Sequence, residues 1–553
     1  MLGAHTVQGT NVFALADDLT RRIGATLNMS PDAGARRVAD VSSTSVEAYR
    51  LYSEGVEAFN DLRRPDARRL FERAVAIDPQ FGSAYFQLEG VTRQLGDQAA
   101  AEGYGRKALE HVEHLPERQR LLLEALTARR AGQTDRAVEI LERLIKRYPD
   151  EEYAYFELAD ISTSRGDREH ALAVFQRGVN AVPKSGGLRN ASGYGFLRLG
   201  RYSEALTQFE EYARLRPNQP NPYDSQAETY LVSGQPEKAL EKYGRVLEID
   251  RAFYNAHSGR AWAFGMLGRF DEALTETRAL QDALTAAHVP RGISRYMAAF
   301  LLSRVGRYRE AASEIAEGLK DATEVRSNAQ SASLHLLSAS VAFERGDFSR
   351  AESSIGEAQR IIPQIPEAVF RHIFTMITTP RDGVVQARQG HLDAARARLD
   401  EVRKIADVKQ SNDQWMLQAL EAEIALAAGD AAKAEQAMGT GEPPAKAFFN
   451  VNVIDGSIAS NQFAFPDEPA RVKRARGDAA GAIAIYRRLL TPDISQKWIL
   501  MYEPRYVLEI ARLLDQRGDA AAAREQYQRF ADLWKNADAG LPELAEARKK
   551  LTR

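Results

Sequence analysis

Residues 166–220 read GDREHALAVFQRGVNAVPKSGGLRNASGYGFLRLGRYSEALTQFEEYARLRPNQP, and this stretch decides the fold because it contains the same phrase twice. Gly166, Ala171, Phe175, Gly178 and Pro183 are answered by Gly200, Ala205, Phe209, Tyr212 and Pro217. Steps of four and three place the alanine, the bulky residue and the next residue on one helical face. Alanine there lets a neighbouring backbone come close, and the bulky side chain fills the space beside it. The glycine suits the end of the preceding helix, where a left-handed backbone is wanted. The proline stops the second helix. Each period therefore predicts two antiparallel helices joined by tight turns.

Outward from this stretch the phrase continues along the chain. Glycines in similar settings fall at 96, 132, 166, 200, 234, 268, 306, 346, 390, 429, 477 and 518, and Leu62 takes the same slot before them. Successive spacings from Leu62 are 34, 36, 34, 34, 34 and 34, then 38, 40, 44, 39, 48 and 41. The strict period thus holds to about residue 285. Beyond it the longer spacings predict longer helices or longer turns and a changed curvature.

A helix pair of about 34 residues with alanine, aromatic and proline in this order resembles the tetratricopeptide repeat. The resemblance covers roughly residues 45 to 535. Tyr85 with Leu88, Tyr155 with Leu158, and Tyr223 with Ala227 and Tyr230 occupy the places of that family's first-helix tryptophan, leucine and tyrosine. It implies an all-α fold, a right-handed superhelical solenoid of antiparallel helix pairs that is irregular in its C-terminal half. The expected organisation is an amphipathic helix and linker over 1–43, a regular array over 44–285, and degenerate pairs over 286–438. An irregular insertion over 439–476 and C-terminal pairs with a capping helix over 477–553 complete it. Thr44 with Glu47 reads as the capping box of the first repeat helix. Phe448, Phe449, Val451, Val453 and Ile454 suggest that the insertion packs on something, the array's own surface ahead of a partner.

Composition narrows the chemistry. Of 553 residues, 74 are Lys or Arg and 76 are Asp or Glu, a net charge of −2. That balance argues against a strongly basic nucleic-acid or anionic-membrane surface. Cysteine is absent, which removes disulfides, thiolate ligands and cysteine nucleophiles together. No run of about 18 apolar residues is present, and Met1 to Thr10 lack a signal-peptide pattern. A cytoplasmic protein is expected, or a periplasmic one if the chain is part of a longer membrane receptor.

No phosphate-binding glycine loop, zinc-protease helix or catalytic triad can be read, so no catalysis and no cofactor are expected. His111 and His114, beside Glu110 and Glu113, are the nearest approach to a metal cluster, and a solvated helix end explains them better.

The resemblance implies a concave surface lined by first helices, where extended peptides or partner helices bind. Carried over slot by slot, it offers Gln119, Leu122, Arg129 and Arg130, then Tyr153, Phe156, Asp160 and Thr163, then Asn190, Tyr194 and Arg198. Asn221, Asp224 and Glu228 follow, and after them Asn255, Ser258 and Trp262. Asparagine amides can hold a peptide backbone through paired hydrogen bonds, and Tyr194 and Trp262 can anchor side chains. The lysine and asparagine set that clamps a terminal carboxylate in chaperone-binding members is not evident. The expected function is a non-catalytic scaffold for a protein or peptide. The stretches 44–85 and 526–551 are also similar to the repeat arms of bacterial signalling proteins linked to a kinase, cyclase or DNA-binding domain. A ligand-sensing regulatory arm is therefore the alternative.

Overall fold

The structure is a computed structural model that describes residues 43–60, 63–95, 97–287, 289, 291–407, 411–439, 465–491 and 502–552, with Ala14, Leu15, Asp18, Leu19 and Arg22. Of the amphipathic helix expected within 1–43 only those five residues are described, and they are helical; most of the expected insertion over 439–476 lies outside the described residues. Among the described residues all regular structure is helical, with no strand. No described helix is long and apolar enough to cross a membrane.

The glycine slots work as their spacing predicts. Gly166 has φ +79°. Its N–H donates to Thr163 O at 2.9 Å, and the next N–H, Asp167, reaches back to Ser162 O at 3.0 Å. These bonds satisfy carbonyls that the helix end would otherwise leave open. The Asp167 carboxylate then accepts from His170 N at 2.9 Å and starts the helix Arg168–Ala181. One glycine–aspartate pair therefore closes one helix and opens the next. Every glycine of the repeat slot from Gly132 to Gly518 has positive φ. The alanines five residues on, from Ala101 to Ala523, are all buried between helices.

At the start of the array the structure corrects the cap. The first repeat helix is Val46–Asn60, and Ala48 N donates to Ser45 Oγ at 3.2 Å. Ser45 rather than Thr44 is the capping residue, because its hydroxyl is the one placed three residues ahead of the amide that needs an acceptor.

The chain divides into two compact units, residues 1–195 and 196–553. Unit 1 holds the pairs Val46–Asn60 with Arg64–Ile77, Gly82–Gln94 with Gln98–Glu110, Glu117–Arg130 with Thr134–Arg147, and Glu152–Ser164 with Arg168–Ala181. Its largest core joins the last two pairs, where Leu141, Leu144, Tyr155, Leu158 and Leu188 pack together.

Unit 2 opens with Tyr202–Leu215, Asn221–Val232 paired with Pro236–Ile249, and Tyr254–Met266 paired with Phe270–Ala286. Longer helices follow. Tyr308–Glu324, Asn328–Glu344 and Ser411–Ala427 have 17 residues each and Ala368–Arg388 has 21, against 13 or 14 in most of the regular pairs. The stretched glycine spacing is thus taken up largely in helix. The C-terminal pair, Pro504–Gln516 with Ala520–Leu533, is followed by Pro542–Leu551, which buries Leu544 and Ala547.

Unit 2 also brings its C-terminal pair against its early turns. Tyr502 N donates to Gly265 O at 3.2 Å, and Asp538 N to Gly306 O at 3.0 Å. Trp534 Nε1 donates to Arg304 O at 2.9 Å, and Arg309 N to the Asp538 carboxylate at 3.0 Å.

Candidate binding face and charged cavity

In unit 1 the first helices of three successive pairs share one polar face. Glu89 on Gly82–Gln94 accepts from both Arg93 and Arg130, the latter on Glu117–Arg130. Arg129 reaches the next first helix, where it donates to Glu157 at 2.7 Å and to Asp160. Burial opposes the charge on Arg129, but its bonds to Asp160 and Glu157 hold its pKa above the ordinary arginine value. Six alternating charges are therefore neutralised across helices, and Glu89 is buried beneath the two guanidiniums.

Among these charges stands an aromatic pair. Tyr153 is 36% exposed, one of the few large apolar side chains so placed. Partial burial, with the Glu157 and Glu89 carboxylates nearby, pushes its hydroxyl pKa up. Phe156 is half-buried and meets Phe175 edge-on at 5.6 Å. Asn190 and Tyr194 on Gly186–Arg198 are half-buried. Structure thus joins Arg129 to Asp160 and sets Tyr153 beside the carboxylates that hold Arg129 and Arg130, whereas Phe156 packs on Phe175; it adds Glu89, Arg93 and Glu157, which the slot rule did not nominate. Glutamate at Glu89 reads in sequence as one more solvated charge; only its two arginine partners, four and 41 residues away, mark it out.

In unit 2 the same rule fares differently. Arg198 is exposed, and Asn221 and Asn255 are half-buried. Asp224, Glu228, Ser258 and Trp262 are buried, as is Leu122 in unit 1, so the expectation that they face a partner is corrected. The helix Asn221–Val232 is covered nearly all round, with every residue from Asp224 to Thr229 buried against neighbours that include Pro236–Ile249 and Tyr254–Met266. Trp262 packs on Phe300 of the next first helix, ring centroids 5.9 Å apart. Leu122 belongs to the core of unit 1.

A second polar assembly lies in unit 2. A cavity of about 660 Å³ is lined by first helices of its later pairs. Arg304 bridges Glu344 at 3.0 Å and also reaches Glu503, while Arg505 lies 3.3 Å from Glu344 and bonds the Tyr308 hydroxyl. Arg471 donates to Glu423 at 2.5 Å and Glu468 at 2.8 Å. Burial raises the pKa of Glu468 well above the carboxylate range, with Arg471 opposing and Glu423 reinforcing the shift.

The other residues weighed for chemistry have structural settings. His111 stacks on Tyr85, ring centroids 6.2 Å apart, and His114 lies 3.6 Å from Glu113 at the end of one helix. Among the described residues no three potential ligands converge as a metal site would require.

Comparison with known proteins follows the same lines. The tetratricopeptide repeat family model matches residues 122–186 and 164–220. No curated protein matches the chain. The crystal structure of MamA is 17% identical, covers 30% of this chain and 92% of its own, and superposes with a TM-score of 0.27. A tetratricopeptide repeat protein from Parabacteroides merdae is 16% identical, with coverage of 46% and 96% and a TM-score of 0.34. YrrB, described as a repeat protein with an unusual peptide-binding site, is 17% identical, with coverage of 33% and 93% and a TM-score of 0.26. The family match, with its glycine, alanine and aromatic slots all in place, makes residues 122–220 similar to tetratricopeptide repeats.

Proposed function

We propose that this chain is a non-catalytic interaction scaffold that binds a peptide or a partner protein on the first-helix face of unit 1. The observation that carries this reading is Tyr153, a large aromatic side chain 36% exposed within a ring of charges that are already neutralised. An aromatic anchor beside a pre-ordered polar frame is the arrangement expected of a binding hot spot. Paired charges also hold Arg129 and Arg130 in place, so that less side-chain freedom is lost when a partner docks. The tetratricopeptide match over residues 122–220 supports the same reading, since such repeats serve as interaction scaffolds.

A displayed random peptide library panned on the full chain tests it. Peptides enriched on the wild type are expected to bind Tyr153→Ala about tenfold more weakly, as befits the loss of an aromatic anchor. Thermal unfolding of this variant should stay near that of the wild type because the side chain is not part of the core. Equal affinity for the two proteins would move the binding face elsewhere.

A further inference from the structure

Unit 2 closes around its own first-helix faces, and this changes what those faces can hold. Helices Gly292–Arg304, Asn328–Glu344, Ala368–Arg388, Glu468–Ala475 and Pro504–Gln516 all contribute to the wall of one cavity of about 660 Å³. That volume falls within the range of about 300–1,000 Å³ typical of small-molecule sites. The ring is held shut where Arg304 meets Glu503, 199 residues away.

The wall is rich in arginine. Arg304, Arg381, Arg388, Arg471, Arg474 and Arg505 line the cavity, against the carboxylates Glu344, Asp467, Glu503 and Glu509. Further acids lie behind the wall: Glu423 holds Arg388 and Arg471, and Glu543 is 3.7 Å from Arg505. These pairs do not exhaust the guanidiniums, because each has five N–H donors in a fixed fork and one carboxylate takes only one or two. They fix the forks in position. Burial also pushes the pKa of Asp467 upward, against the pull of Arg471 and Arg388.

Arg381 is the most deeply placed of the six in chemical terms. It is 8% exposed, donates to the Ser340 hydroxyl, and lies over the Phe465 ring at 5.7 Å. Burial brings its pKa down to about 10, with Glu344 and Tyr296 pulling up and Arg304 down, so it still carries its charge at neutral pH. Phe343, Phe465 and Tyr506 give the same wall an apolar part. Charge-assisted hydrogen bonds gain strength where water is partly excluded.

We propose that this cavity binds a compact polyanion carrying phosphate or carboxylate groups, gripped by the guanidiniums of Arg381, Arg474 and Arg505. Planar forks match both groups, and a volume of about 660 Å³ suits a small molecule. The site shares no residue with the peptide face of unit 1, so either assignment can fail without the other.

Isothermal titration of the full chain with inorganic pyrophosphate and with citrate, at constant ionic strength, tests the proposal. Spermidine serves as the cationic control. Saturable binding of pyrophosphate, of citrate or of both is expected, and the pattern tells a phosphate occupant from a carboxylate one. Arg381→Gln and Arg474→Gln should each weaken it by about tenfold or more, the worth of one charged hydrogen bond. Arg360→Gln, on an exposed ion pair with Glu357, should leave it unchanged. Arg474 is itself 52% exposed, so its variant folds even if burial makes Arg381→Gln unstable. Absence of saturable binding with both anions, equal binding of spermidine, or wild-type affinity in Arg474→Gln would overturn the assignment.

Discussion

Ala205 shows at the scale of one side chain what holds the pairs together. It is fully buried, and on its helix Tyr202–Leu215 it shares the inner face with Phe209 and Tyr212. A neighbouring helix comes close only because the side chain stops at Cβ. Ala205→Leu adds three carbons to a packed interface, and overpacking of this kind costs about 1–3 kcal/mol. Urea unfolding should show a lower midpoint with an unchanged slope; a midpoint equal to the wild type would mean that the interface has slack. Gly259 takes the same logic further, since a Cβ there would lie 2.0 Å from Tyr243 Cζ. Ala205 was legible because it recurs at a fixed distance after each glycine. Gly259 was not, since it answers to one particular tyrosine on the preceding pair rather than to the period.

Helices in this chain are bounded by short instructions, and their quality varies from repeat to repeat. Asp167, Asp347, Asp430, Asp478 and Asp519 each follow a slot glycine and cap the next helix with a side-chain oxygen. Gln133 occupies the same position before Thr134–Arg147 and makes no side-chain cap. Asp167→Ala should therefore cost about 1 kcal/mol, while Gln133→Asp should gain about 0.5–1 kcal/mol, because a carboxylate at that position accepts a first-turn amide and faces the positive end of the helix dipole. Denaturant unfolding of the two variants checks the opposite signs, and a Gln133→Asp protein no more stable than the wild type would show that the turn cannot present the carboxylate. Element type and turn position were readable at the slot glycines from Gly132 to Gly518 among the described residues. What the spacing left open was whether the extra residues after 285 lengthen helices or turns, since both add equally to the distance between glycines. Helices of 17 and 21 residues supply the answer.

At the scale of the whole molecule each unit obeys its own logic, and unit 2 is governed by contacts that local sequence cannot announce. Arg304, Glu344, Glu503 and Arg505 each read as an ordinary charged residue on a helix end, yet they meet across as many as 199 residues. The slot rule assumed an open face and so placed Trp262 and Glu228 toward a partner, whereas packing covers both. Trp534 is the residue on which this closure turns. It is fully buried, bonds the Arg304 carbonyl, and meets Tyr308 nearly perpendicularly with centroids 6.2 Å apart. Gly306, with φ +71°, lets the indole approach, because a Cβ there would lie 3.0 Å from the ring. Trp534→Ala should cost about 3–5 kcal/mol, the usual penalty for emptying an aromatic site. The loss should be confined to unit 2. Amide hydrogen exchange should speed up together at Asp538 and Tyr502, whose N–H groups bond Gly306 and Gly265, while the helices of unit 1 from Thr134 to Ala181 keep their wild-type protection. Exchange that rises only within Ala520–Leu533, with Tyr502 unaffected, would show that Trp534 stabilises its own helix and that the closure rests on the ion pairs of Arg304 and Arg505 instead.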